Sequence, residues 1–226
     1  MWAIIKKELK SYFYSPIGYI FIGLFLAMFS LIFYITLGEK QTTFQFVFFS
    51  AVMYILIFLI PFLTMRLFSE ERKSGTEQLL LTSPVSVTKI VFGKFIAATC
   101  IIIITELFTL IYFAIISFFK TPEILIVLTT MLGFLLVSMA YISLGMFISS
   151  LTENQIISGI STFVIFIFTW LAPRLNIKFI GISLIEKFVP FVTGFFPIKE
   201  IISLITIILM FNILTIIVIK RRKFIQ

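Results

Sequence analysis

Six apolar stretches, separated by short polar segments, dominate this chain. They cover residues 16–37, 44–67, 87–119, 124–150, 156–171 and 201–219. A helix needs about 20 mostly apolar residues to cross the roughly 30 Å hydrocarbon core of a bilayer. All six stretches meet or approach that length. The fifth is short, and the third and fourth are long enough to tilt or to extend into the cytoplasm. The expected fold is therefore an all-α membrane protein with six transmembrane helices.

Composition excludes most alternatives. The chain is 61% hydrophobic and only 12% charged, against about 25% charged in an ordinary soluble domain, and its mean hydropathy is +1.19. It has no His, no Asp and one Cys, Cys100. A disulfide framework, a Cys/His zinc site and His-based acid–base catalysis are thereby excluded. The net charge of +8 does not point to nucleic acid, because the basic residues gather at the ends of the apolar stretches. Phe, present 30 times, reads as compositional bias. No soluble domain, linker or repeat interrupts residues 1–226, which form one transmembrane domain.

Lys and Arg set the orientation. With the amino end inside, the cytoplasmic segments hold Lys6, Lys7, Lys10, Arg66, Arg72, Lys73, Lys89, Lys94, Lys220, Arg221, Arg222 and Lys223. The outer segments hold Lys40, Lys120, Arg174, Lys178, Lys187 and Lys199. Twelve against six places both termini in the cytoplasm of a multi-pass protein of the cytoplasmic (inner) membrane. Arg221-Arg222-Lys223 reads as an anchoring cluster after the last span.

Residues 1–14 differ from the spans. Trp2, Ile5, Leu9 and Tyr12 share one helical face and Lys6, Lys7 and Lys10 another, the pattern of a helix lying in the interface on anionic lipid. A cleaved signal peptide is disfavoured by the long apolar run that follows and by the missing small-residue cleavage site. Ser15 can cap the next helix, and Pro16 suits its first position. On the outer side, Leu184, Ile185, Phe188 and Val189 oppose Glu186 and Lys187. This predicts a short amphipathic, re-entrant segment broken by Pro190, Gly194 and Pro197.

The charged island from Phe68 to Lys94 is too short for a domain and suits a docking surface. Ser74-Gly75-Thr76-Glu77 fits a capping box, with Ser74 as cap and Glu77 reaching back. Leu79-Leu80-Leu81 supplies an apolar face, and Ser83-Pro84 ends the helix. Such a short helix suits a groove on a partner. The rival reading, a helix resting on headgroups, would set Glu70, Glu71 and Glu77 against an anionic leaflet.

The same island carries E-E-R-K at 70–73, G-T-x-x-x-L-L at 75–81, S-P-V-S at 83–86 and G-K at 93–94. This run resembles the cytoplasmic loop of ABC-2 type transporter permeases. Residues 144–155, with G-x-x-x-S-S-x-T-x-N-Q from Gly145 to Gln155, are similar to that family's turn between the fourth and fifth spans. Gly145 and Ser149 are four apart, so close helix contact also explains them. Phe188–Lys223 looks like the family's final unit. Size and form resemble its small gliding-motility and copper-maturation members.

The resemblance implies a permease subunit of an ATP-driven transporter, usually an exporter. Two permease chains, alike or different, would form a pathway, and two ABC ATPase subunits would sit beneath. A coupling loop at 69–84 would meet the ATPase through Glu70, Glu71, Gly75, Thr76, Glu77, Leu80 and Pro84. This chain would bind no cofactor; ATP and Mg would belong to the ATPase. Gly93-Lys94 is no phosphate loop, because the preceding glycine spacing is absent and Phe95 follows. The chain is therefore not expected to be an enzyme.

Glu106 is the one carboxylate deep in a span, beside Thr105 and Thr109. An acid there is by default a candidate functional residue, here of the transport pathway. A packing hydrogen bond to a neighbouring helix is the preferred alternative. Two other functions compete: an ATP-driven mechanical or anchoring complex that transports nothing, and an ion-coupled secondary transporter. The latter would require more intramembrane ionisable groups or paired broken helices.

Overall fold

The computed structural model describes residues 1–38, 43–119, 123–171, 183–194 and 196–225, and among these every regular element is a helix. Lys40, Lys120, Arg174, Lys178 and the first part of the outer segment lie outside the described residues. In chain order the helices are α1 (Trp2–Tyr14), α2 (Ile17–Gly38), α3 (Phe44–Ser50), a π-helical turn (Ala51–Ile55), α4 (Leu56–Thr64), α5 (Ser69–Lys73), α6 (Thr76–Thr82), α7 (Val87–Phe119), α8 (Ile124–Leu151), α9 (Gln155–Leu171), α10 (Leu184–Val192) and α11 (Ile198–Ile225).

Five helices are long and apolar enough to cross a membrane: Ile17–Thr36, Phe44–Lys73, Val87–Phe118, Ile124–Leu151 and Ile198–Arg222. Helix α9 is apolar but shorter. The second of these is not a uniform α-helix. It contains the π turn, and Pro61 lies inside α4. A π turn adds one residue to a turn of helix and so changes which residues face the core. Pro61 contributes no N–H to the helical ladder.

The centre is built from aromatic rings. Phe25 and Phe29 of α2, Phe48 of α3 and Phe134 of α8 are almost fully enclosed. Their centroids lie 5.2 Å apart for Phe29–Phe48 and Phe48–Phe134, and 5.9 Å apart for Phe25–Phe134. Edge-to-face pairs at such distances add about 1 kcal/mol each beyond the burial of area. These four rings form a structural centre. Helix α8 packs against α11, α10, α9, α4 and α7.

Two expectations at the amino end are corrected. Helix α1 buries Ile4, Ile5, Glu8 and Tyr12 against α7 and α2, whereas Trp2 is exposed and Leu9 half-buried. The protein, rather than lipid alone, takes its apolar face. Tyr12 donates its hydroxyl to the Leu63 carbonyl at 3.1 Å, tying α1 to the end of α4. Ser15 marks the break in extended backbone, but its hydroxyl finds no partner among the described residues. The Pro16 carbonyl accepts the first α2 hydrogen bond, from Ile20 at 2.8 Å.

Helix α10 forms where amphipathic spacing predicts it, with Ser183 accepting from the Glu186 N–H at 3.4 Å. Pro190 lies inside it and does not break it. Its apolar face is Leu184, Ile185, Phe188 and Phe191, with Val189 exposed. Thr129 donates to the Phe191 carbonyl at 3.1 Å, and a Cβ on Gly133 would lie 2.5 Å from the Phe191 ring. The segment is therefore seated on α8.

Candidate functional site

The loop between α4 and α7 gathers most of the ion pairs. It lies at the end of the bundle shared by α1, the start of α9 and the end of α11, hereafter the loop end. The chain leaves α4 in a tight turn, in which Met65 donates to the Pro61 carbonyl at 2.9 Å and Leu67 to that of Thr64 at 3.1 Å. Ser149 of α8 closes this turn. Its Oγ accepts from the Phe68 and Ser69 N–H groups at 3.2 and 3.3 Å and donates to the Met65 carbonyl at 3.2 Å. One turn earlier, a Cβ on Gly145 would clash with Thr64 Oγ1. The Gly145/Ser149 spacing therefore brings α8 against α4 and caps the start of α5.

Helices α5 and α6 are joined at Gly75, which adopts φ +74°. A Cβ there would meet no neighbour, so the left-handed backbone alone favours glycine. The expected capping box does not form. Because Gly75 is the N-cap, α6 starts at Thr76 and Glu77 sits one position too early to reach back. Ser74 Oγ instead donates to the Glu71 carbonyl at 3.2 Å and lies 2.8 Å from Thr76 Oγ1. Ser83 ends α6 in extended backbone, as expected of a residue preceding proline.

Consecutive loop residues then reach different helices. Glu71 Oε1 accepts from Lys7 Nζ of α1 at 2.8 Å, and its Oε2 lies 3.0 Å from Lys94 Nζ of α7. Lys94 also donates to Glu8 Oε1 of α1 at 3.0 Å and sits 5.2 Å from the centre of the Phe68 ring. Arg72 pairs with Glu153, just beyond α8, at 2.5 Å. Glu77 accepts from Arg222 of α11 at 3.2 Å, and Arg222 also donates to the Ser150 carbonyl. The loop is thus tied to α1, α7, the α8–α9 turn and α11.

Lys94 is 1% exposed, so its charge must be matched inside the protein. Two carboxylates and the face of Phe68 do so, and Lys7 completes a junction of two cations and two anions. Burial alone would lower the pKa of Lys7. The hydrogen bond and charge of Glu71, with Glu8 behind, outweigh it and hold this ammonium above its ordinary value. Gly93 beside it admits α1, since a Cβ there would lie 2.8 Å from Ile4 Cγ2. The G-K pair thus has a physical reading: Gly93 allows α1 to approach, and Lys94 binds it.

The loop residues named from sequence fall into two groups. Glu70, Gly75, Thr76 and Pro84 are exposed. Glu71, Glu77 and Leu80 face the bundle: the two acids are paired as above, and Leu80 packs against the core. Leu79, read from sequence only as part of the apolar face, is 74% exposed. Lys94, Glu8, Arg222 and Ser149 also carry roles that sequence reading did not assign. A signal existed for Lys94, a cation set inside a largely apolar span. Glu106 is 6% exposed, and its Oε1 has no hydrogen-bond partner among the described residues. Among those residues no group of three or more acidic, Cys or His side chains could hold a metal.

The geometry defines a class of protein: a multi-pass helical membrane protein with a charged loop, between α4 and α7, clamped to the ends of several helices. The family model described as ABC-2 family transporter protein matches residues 34–219, most of the chain, and the chain belongs to this family. No curated protein matches the chain. Members of this family are the membrane components of ABC transporters and work with an ABC ATPase in a lipid bilayer.

Proposed function

We propose that this chain is the permease subunit of an ATP-driven exporter, and that residues 69–84 are its contact with a separate ATPase. One observation carries the reading. The inner face of this short loop is tied by ion pairs to helices across the bundle, while its outer face stays uncovered. A push on that face reaches α1, α7, α8 and α11 through Glu71, Arg72 and Glu77. In this reading Glu70, Gly75, Thr76, Pro84 and the exposed Leu79 meet the ATPase, with Leu79 as the apolar anchor and Glu70 in a polar rim. Glu71, Glu77 and Leu80 hold the loop to the spans.

The loop end faces the cytoplasm, as the Lys and Arg distribution requires, and both termini lie on that side. Helix α9 is the sixth span. Two permease chains, alike or different, assemble with two ATPase subunits, which carry ATP and Mg; this chain binds neither. Glu106 is the candidate pathway residue, since its buried Oε1 has no hydrogen-bond partner among the described residues to explain it.

A cysteine at Thr76, on the exposed face, tests the coupling reading. It should crosslink to a co-purifying ATPase, and the yield should change with ATP. Leu79→Asp should reduce that association while the chain still inserts. Labelling of position 76 only from outside the cell would overturn the orientation and the coupling with it. Glu106→Gln keeps size and shape, so loss of ATP-driven transport with assembly intact would support a pathway role. Unchanged transport would remove it.

A further inference from the structure

An apolar groove of about 220 Å³ runs between α2 and α4 and ends at an arginine. Ile17, Ile20, Phe21 and Leu24 line it on α2; Leu59, Phe62 and Leu63 line it on α4. Both sets follow the three-and-four spacing of one helical face. Phe21, Leu59 and Leu63 form a buried floor, while Ile20, Leu24 and Phe62 are exposed at the mouth. Arg66 closes the groove at the loop end, where the chain leaves the apolar span. It is the only charged residue in the lining.

Arg66 differs from Arg72 and Arg222 at this end of the bundle. Arg72 holds Glu153, and Arg222 holds Glu77. Arg66 has no carboxylate within ion-pair distance among the described residues, and its enclosed Nε has no hydrogen-bond partner. A buried N–H of a charged group that remains unpaired is costly. A guanidinium is also the side chain best shaped to hold a phosphate through two parallel hydrogen bonds.

We propose that this groove seats one phospholipid from the leaflet on the loop side, with its phosphate on Arg66 and part of an acyl chain between α2 and α4. A phosphate on the guanidinium would supply the counter-charge that no described carboxylate provides. An acyl chain would cover apolar side chains that neither helix covers for the other. Simple snorkelling of Arg66 toward headgroups in general would need no groove. The combination of a closed cationic end and an apolar trough of matching direction favours one defined lipid. The inference rests on the chain crossing a bilayer and is independent of any ATPase.

Native mass spectrometry of the delipidated full-length chain, with whatever partners co-purify, tests this. The probes are phosphatidylglycerol, diacylglycerol without phosphate, and inorganic phosphate alone. We expect one phosphatidylglycerol per chain to bind at least tenfold more tightly than diacylglycerol. Inorganic phosphate at the same concentration should not displace it. Arg66→Gln should lose at least tenfold in lipid affinity. Leu24→Trp, at the exposed mouth, should do the same with Arg66 intact, and it carries the test if Arg66→Gln fails to fold. Lys6→Gln with Lys10→Gln, on the exposed side of α1, should leave binding unchanged. Equal binding by Arg66→Gln or Leu24→Trp would overturn the site. So would displacement by inorganic phosphate, which would mark a free-anion site, or equal binding of diacylglycerol.

Discussion

Arg222 Nη1 lies 3.2 Å from Glu77 Oε1, although the two residues are 145 positions apart in the chain. The contact joins the last helix to the middle of the α5–α6 loop, and both side chains are largely enclosed. Arg222→Gln leaves Glu77 enclosed without its cation, which should cost about 2 kcal/mol. Adding Glu77→Gln should recover much of that loss, because removing both charges leaves neither unpaired. Thermal unfolding in detergent of the two single variants and the double variant checks this. A double variant less stable than either single one would show that the pair does not act as described.

Lys94 is the more demanding case. Lys94→Met leaves Glu8 and Glu71 close together with only Lys7 between them, and a broken buried pair typically costs about 3–5 kcal/mol. The triple change Lys94→Met, Glu8→Gln, Glu71→Gln should be more stable than Lys94→Met alone. Unfolding midpoints in detergent report the order. If Lys94→Met unfolds like the wild type, the junction contributes nothing.

Lys7 makes one edge of this junction sensitive to alkali. Its pKa is raised in the folded protein, so its stabilising contribution is complete below the unfolded value of about 10.4. That contribution is lost as pH rises through the folded value. Lys7→Gln should therefore lower the unfolding midpoint at pH 8 and lower it less at pH 11. An equal effect at both pH values would contradict the charge-based account.

Gly145 tests the contact between α4 and α8. A Cβ at this position would clash with Thr64 Oγ1 and lie 2.9 Å from Thr64 Cβ. Gly145→Ala should cost about 1–3 kcal/mol by overpacking, and Thr64→Ala should recover part of it by removing the closest atom. The shift should also disturb Ser149, one turn on, and so raise proteolysis within 65–75. Normal stability of Gly145→Ala would mean that the helices separate freely.

The loop shows where sequence reading reached its limit. A helix start near 74–77 and an end at Ser83-Pro84 were readable, because turns and proline act over a few residues. The expected capping box was not realised, because the left-handed Gly75 delayed the helix by one position and Arg222 captured Glu77. Nothing local in the chain could reveal a partner 145 residues away. The two leucines divided similarly: Leu80 turned to the core and Leu79 outward, a choice made by how α6 is seated.

The sequence by itself determined the all-helical membrane class, the approximate bounds of the long helices and the position of the charged loop. Hydropathy and helix length are local properties matched to a fixed bilayer thickness, so they can be read along the chain. Only the tertiary structure decided that α1 packs on α7 through Glu8 and Lys94, that Ser149 caps the turn before α5, and that Glu71 and Glu77 face inward. These depend on which helix ends meet in space, where burial leaves each charge in need of a partner from a distant part of the chain.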